Sequence, residues 1–192
     1  MSDTKFDNFL SCAAGIENRK LPPVDQWNPE FCGDIDIRIA RNGSWYHEGR
    51  PFLRPSLVRL LSSILKREGD DYFLVSPVEK MRIQVEDVPF IAVGMTQEEA
   101  DGKQILYFRT LTDDLVRLDA EHPLRVQTDS LSGEPRPYIQ VRGGMEARIH
   151  RPVFKDWVEL GGEVIGKAGL YLLLGRAGRH FNLAGRKIGF WG

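Results

Sequence analysis

The chain has 192 residues, 42% hydrophobic and 10% aromatic, enough to bury the core of one domain or of two small ones, and that composition argues against disorder. Its formal net charge of −1 argues against a general nucleic-acid binder, which carries a marked basic excess. No apolar run approaches the roughly 20 residues of a membrane span, and Met1–Asp7 has neither the basic nor the apolar region of an export signal, so a cytoplasmic protein is expected.

Phe6, Phe9, Leu10, Ala13 and Ala14 fall at helical spacing and predict a short N-terminal helix. Leu21–Pro29 is too proline-rich for regular structure and predicts an extended arm pinned by Trp27. Asp34–Ile39 alternates strictly, which predicts a half-buried strand with Ile35, Ile37 and Ile39 on one face. Asn42-Gly43 is the preferred type I′ pair, so Ser44–His47 should return antiparallel. A helix is expected to open at Pro55 or Ser56, with Leu57, Val58, Leu60, Leu61, Ile64 and Leu65 as its apolar face. Lys66 and Arg67 would then complement its dipole and Gly69 would cap it. Further strands are expected at Tyr72–Val75, Met81–Val85, Phe90–Val93, Ile105–Phe108 and Leu115–Leu118, with turns at Thr96–Gly102 and Thr112–Asp114. Ser130–Pro137 reads as a linker, a second helix near Phe154–Leu160 is stopped by Gly161-Gly162, and Leu170–Leu174 with Arg179–Leu183 read as a closing hairpin around Gly175–Gly178.

Part of the chain repeats. Ile37–Arg54 and Ile139–Lys155 each read as strand, Gly turn, strand ending in His, Arg-Pro, then an apolar helical stretch. A period of about 100 residues is too long for a solenoid unit and suggests a duplicated α+β unit. The expected organisation is an N-terminal helix and extended arm (1–29), a first α+β repeat with extra strands (30–129) and a second, shorter repeat (130–192). The expected fold is α+β, with mainly antiparallel sheets and a helix packed on each.

Trp45–Arg54, Tyr72–Lys80 and Ile83–Phe90, in that order, resemble the small bacterial family of unknown function DUF1285. The resemblance covers the chain from about Pro22 to Leu183 and implies a two-part α+β protein with internally related halves. It brings no activity, cofactor or catalytic residue, and points only toward signalling or protein interaction.

Candidate chemistry is sparse. His47 and His150 precede Arg-Pro in matching places and could be paired acid/base groups, or could each simply end a strand. Arg50, Arg54, Arg151 and Lys155 repeat likewise and could clamp a carboxylate or phosphate, or fix the loop before each helix by salt bridges. Glu86 and Asp87 are adjacent on a strand and point to opposite faces, so they make no catalytic pair. Gly175–His180 is glycine-rich and basic, yet its flanks read as strands where a phosphate cradle needs a helix start. Ser44 and Ser76 lie in no nucleophile elbow, and Cys12 and Cys32 lie in no C-x-x-C, which predicts free thiols.

The expected function is that of a non-enzymatic binding or adaptor protein using the groove between two related halves. Trp45, His47, Arg50, Arg54, Glu79, Lys80, Arg148, His150 and Arg151 would anchor a protein partner or small anion. No cofactor, metal or catalytic residue is assigned, and a homo-oligomer is compatible with the sequence. The alternative is an enzyme acting on a phosphorylated or acidic small molecule, with His47 or His150 as acid/base and Arg as anion clamp. Nucleic-acid contact through the basic stretch Val164–Gly192 ranks last.

Overall fold

The computed structural model describes residues 21–100 and 103–159 and, beyond them, the short strands Glu163–Ile165, Tyr171–Leu173, Phe181–Leu183 and Arg186–Ile188. The helix expected over Phe6–Ala14, and Cys12, lie outside the described residues. The chain divides into two compact units, one largely of residues up to Pro89 and the other largely from Phe90 onward.

The first unit contains β1 (Phe31–Ile39), β2 (Trp45–His47), β3 (Arg50–Pro51), α1 (Pro55–Ser63), β4 (Leu65–Glu68), β5 (Asp71–Val75) and β6 (Lys80–Val85). They form a six-stranded sheet in the order β3-β2-β1-β6-β5-β4. All pairs are antiparallel except β1 with β6, which run parallel at the centre. The alternation of β1 is realised: Ile35, Ile37 and Ile39 are buried while Asp34 and Asp36 face solvent. Opposite Ile39 stands Trp45, 2% exposed, which extends the same apolar face. The proline-rich arm carries one 3₁₀ turn, Val24–Gln26, where no regular structure was expected. Trp27 is half-buried and its carbonyl accepts from Lys66 Nζ at 3.0 Å, tying the arm to β4.

Three local expectations change. The β1–β2 turn is not type I′: Gly43 has φ +83 but Asn42 does not share the left-handed region, and Gly43 N donates to Ala40 O at 2.9 Å. Arg41-Asn42-Gly43 is therefore a three-residue loop, a type I turn closed by a left-handed glycine. The two-residue turn with both φ positive is the next one, Glu48-Gly49 at +49 and +75, which creates the unforeseen edge strand β3. Third, α1 ends at Ser63, short of Gly69. Ser62 and Ser63 Oγ donate back to the carbonyls of Arg59 and Leu60 (2.8 and 2.7 Å), a local alternative to helix continuation. Leu65–Glu68 then ladders onto Asp71–Leu74. Ile64 and Leu65 are fully buried as expected, but one caps the helix and the other opens a strand, and Lys66 and Arg67 lie on that strand.

The second unit contains β7 (Phe90–Ala100), β8 (Lys103–Thr110), β9 (Leu115–Arg117), β10 (Leu124–Thr128), β11 (Pro135–Arg142), β12 (Met145–Ile149) and α2 (Arg151–Glu159). Its sheet order is β10-β11-β12-β7-β8-β9, again with one parallel pair, β12 with β7, at the centre. The path is the same in both units: three strands step outward from the centre, the next three step back in, and the first and sixth lie parallel. The duplication inferred from the sequence is thus real. Its register differs, because β7–β12 repeats β1–β6, whereas Ile37–Arg54 and Ile139–Lys155 share only a local hairpin-then-helix pattern. A boundary at 129/130 would cut one sheet, since β10 and β11 are laddered from Leu124↔Ile139 to Thr128↔Pro135. The expected linker is their turn, held by Asp129 Oδ1 accepting from the backbone of Leu131 (2.9 Å) and Ser132 (2.8 Å).

Gly143-Gly144, with φ +52 and +70, makes the type I′ turn between β11 and β12. The turn expected over Thr96–Gly102 is strand as far as Ala100, resuming at Lys103. Helix α2 begins at Arg151, earlier than expected, with Pro152 in its first turn, where the missing N–H costs nothing. Val153, Phe154 and Trp157 form its buried face, with the rings of Phe154 and Trp157 5.7 Å apart. Beyond it, β13 (Glu163–Ile165) pairs with β14 (Tyr171–Leu173), and β15 (Phe181–Leu183) with β16 (Arg186–Ile188). Each strand thus pairs with one reached by a short connection; of the expected hairpin of Leu170–Leu174 with Arg179–Leu183, Leu170, Leu174, the turn Gly175–Gly178, Arg179 and His180 lie outside the described residues.

Candidate functional site

Across the β2–β3 ladder Arg50 stands opposite His47, and Pro51 opposite Tyr46. The His47 ring lies flat against Phe52, with centroids 6.2 Å apart and planes within 6°. Phe52 N donates to Trp45 O at 2.9 Å, which leaves Leu53 standing out at 85% exposure. Arg54 follows at the N-cap of α1 in extended backbone geometry, and Pro55 opens the helix. Neither a capping side chain nor an acid occupies that first turn. The positive end of the helix dipole and the Arg54 guanidinium therefore share one place, an arrangement that costs stability and favours an anion.

The side chains of Arg50 and Arg54 are exposed and make no ion pair or hydrogen bond among the described residues. Several other cations of this unit are neutralised. Lys80 Nζ lies 2.9 Å from Glu68 Oε2, and Lys66 Nζ 3.4 Å from Glu68 Oε1. Arg82 holds Asp34 with two hydrogen bonds of 2.8 and 3.1 Å, and Arg38 bonds Glu86. The acids respond accordingly. The hydrogen bond from Arg82 holds the Asp34 carboxyl below its ordinary pKa. That from Lys80 does the same for Glu68, and the Arg41 amide with Arg38 does so for Glu86.

The nine sequence-predicted site residues separate. His47, Arg50 and Arg54 come together on one stretch. Trp45 is core and cannot meet a partner, and Lys80 is committed to Glu68, 5.2 Å above the Phe73 ring. Glu79 is half-buried in the β5–β6 turn, with Oε2 buried and unbonded among the described residues. In the second unit Arg148 is half-buried on β12 opposite Ile91. His150 is exposed and ties β7 to α2 through its backbone, donating to Ala92 O (2.9 Å) and accepting from Phe154 N (3.0 Å). Arg151 pairs with Glu134 at 2.9 Å, with both side chains largely exposed. Arg50-Pro51 and Arg151-Pro152, alike in sequence, thus differ in part: one is an edge strand, the other a helix start.

One feature escaped sequence reasoning altogether. A hollow of about 380 Å³ opens on the first unit, lined among others by Asp34, Asp70, Asp71, Tyr72, Arg82 and Gln84. Parallel pairing of β1 with β6 assembles it, and no local pattern announces that pairing. Its single cation is spent on Asp34 and lies 3.8 Å from Asp71, so the hollow offers no free positive charge. Among the described residues no group of three or more His, Cys, Asp or Glu is arranged to hold a metal, and no helix is long and apolar enough to cross a membrane.

The fold defines a protein of two related α+β units, each a six-stranded sheet with a parallel central pair and a helix. The chain belongs to the DUF1285 family: the family's N-terminal domain of unknown function matches residues 22–88, and its C-terminal domain of unknown function matches residues 89–183. The two matches meet beside the structural boundary at Pro89. A crystal structure of a DUF1285 family protein from Silicibacter pomeroyi DSS-3 is similar at 41% identity, covering 93% of this chain and 92% of that one, with a TM-score of 0.75. Another, from Shewanella baltica OS155, is similar at 27% identity over 64% of this chain and 90% of that one, with a TM-score of 0.51. Among curated proteins none matches.

Proposed function

We propose that the protein is a non-enzymatic binding module that takes an acidic, partly apolar segment of a partner protein on the Arg50–Arg54 surface of its first unit. One observation carries the reading: two exposed arginines, without an ion pair among the described residues, flank an exposed leucine at the positive end of a helix. Arginine is suited to gripping carboxylates with paired hydrogen bonds, and Leu53 supplies the apolar anchor between them. His47, packed flat on Phe52, serves as the floor of the surface. A contact read largely through charge forms and releases readily, which suits signalling. We place the protein in the cytoplasm as part of the same reading, in keeping with the exposed free thiol of Cys32.

The test is fluorescence anisotropy with a labelled peptide alternating glutamate and leucine, against wild type and Arg50→Glu/Arg54→Glu. Each exposed ion pair is worth up to about 1 kcal/mol. Losing two such pairs should weaken binding by roughly 5–30-fold. Added salt should weaken wild-type binding in the same direction. Equal affinity of the two proteins would sink the proposal.

A further inference from the structure

The β7–β8 ribbon is longer than the sheet it belongs to. On the side of β7 away from β8, β12 ladders only to Phe90, Ile91 and Ala92. On the other side β8 stays in register with β7 from Gly94↔Arg109 to Ala100↔Lys103, after a bulge between Ala92 and Gly94. A bulge at that point ends one ladder and re-aims the strand. From Val93 to Ala100, β7 thus has no strand neighbour on its outer side among the described residues, and Thr96, Gln97, Glu98 and Glu99 are exposed. An edge of this kind presents a row of N–H and C=O groups ready to pair with another extended chain.

The charges on it select the partner. Glu98 and Glu99 point to opposite faces, so both faces of the edge near its tip are acidic. Two copies of this edge paired through its tip would gather four carboxylates, and like charges across a strand pair are destabilising. A basic strand meets the opposite situation: its main chain completes the ladder while its Lys or Arg side chains meet Glu98 on one face and Glu99 on the other. We infer that the outer edge of β7, from Val93 to Glu99, accepts an extended basic segment of a partner protein as an added strand. This site lies in the second unit, is opposite in charge to the Arg50–Arg54 surface, and stands independently of it.

Hydrogen exchange read by mass spectrometry tests the inference, with a short peptide of lysine pairs separated by valine pairs as probe, which places lysines on both faces of the added strand. The expected result is exchange slowed by about threefold or more within Val93–Glu99. The effect should vanish when valine–glutamate or proline-interrupted peptides replace the probe. In Glu98→Lys/Glu99→Lys, exchange without peptide should match wild type elsewhere in the chain, and peptide protection should be lost. Glu98→Gln/Glu99→Gln, which keeps side-chain shape, should show reduced protection. No slowing at millimolar peptide, slowing confined to other segments, or undiminished slowing in the charge-reversed protein would each overturn the inference. So would protection of the same edge that rises with protein concentration in the absence of peptide, because the occupant would then be a second copy of the chain.

Discussion

Replacing Leu61 with alanine tests whether α1 is seated as described. Leu61 is fully buried, as are Ile37, Ile39, Ile64 and Leu74 in the same unit. The substitution removes three carbon groups at about 0.8 kcal/mol each, roughly 2.4 kcal/mol of transfer energy. The residual cavity adds to this, which brings the expected loss to about 3–4 kcal/mol, within the range of buried leucine truncations. At about 2–4 °C per kcal/mol for a chain of this length, the melting temperature should fall by roughly 6–16 °C. Leu57, one turn earlier on the same sequence-predicted face, is only half-buried, so Leu57→Ala should cost distinctly less. Circular dichroism melts of both variants, with tryptophan fluorescence reporting on buried Trp45, give the comparison. If Leu61→Ala melts like wild type, or no lower than Leu57→Ala, the placement of this helix on its sheet is wrong.

Glu48 sits at φ +49 in a type I′ turn that prefers Asn-Gly, so Glu48→Asn should raise stability by about 0.5–1 kcal/mol in urea titration. An unchanged or lower urea midpoint would contradict that turn geometry. Gly33 has φ +109 with open space where a Cβ would project, so Gly33→Ala should cost about 1–3 kcal/mol from backbone strain alone. A melting curve identical to wild type would remove the strain argument. For acid, the sign follows from depressed carboxyl pKa values. Asp34, Glu68, Glu86 and Asp129 lie below their ordinary values of 3.8 and 4.5, so near those values the unfolded chain binds more protons than the folded one. Their stabilising contribution is complete above the ordinary values and is lost as pH falls through the folded ones. Melting temperature should stay level from neutral pH to about 5.5 and drop below about 4.5. A drop that began near neutral pH would point to other groups.

The strands most legible in the sequence were those whose side chains alternate: β1 through Ile35, Ile37 and Ile39, β6 through Met81 and Ile83. Elements that lack that pattern escaped it. Arg50-Pro51 is an edge strand because a turn at Glu48-Gly49 folds it back, and nothing in an Arg-Pro pair signals this. Leu65 and Lys66 continue the helical period of Leu57–Ile64, yet serines at 62 and 63 divert the backbone. The repeat was visible, but its register was set by short likenesses around His47 and His150 and missed the strand path that the units share. Of the site, His47, Arg50 and Arg54 could be gathered because they are close in sequence. The hollow around Arg82 could not, since Asp34 and Arg82 are joined only by parallel pairing.

That parallel pairing gives the first unit a mechanical character. In chain order the sheet of the first unit begins with β1 and ends with β6, and these neighbouring strands run the same way. The start of β1 and the end of β6 therefore lie at opposite ends of one ladder, about a strand's length apart. Tension applied between those two points loads the β1–β6 hydrogen bonds together, in shear, and cannot peel them one at a time as it would a terminal hairpin. In the second unit β7 and β12 form the same kind of parallel central pair, but there the chain runs on into α2. The first sheet should yield to pulling from the start of β1 and the end of β6 in one abrupt step at its centre, after which the outer strands have nothing left to lean on.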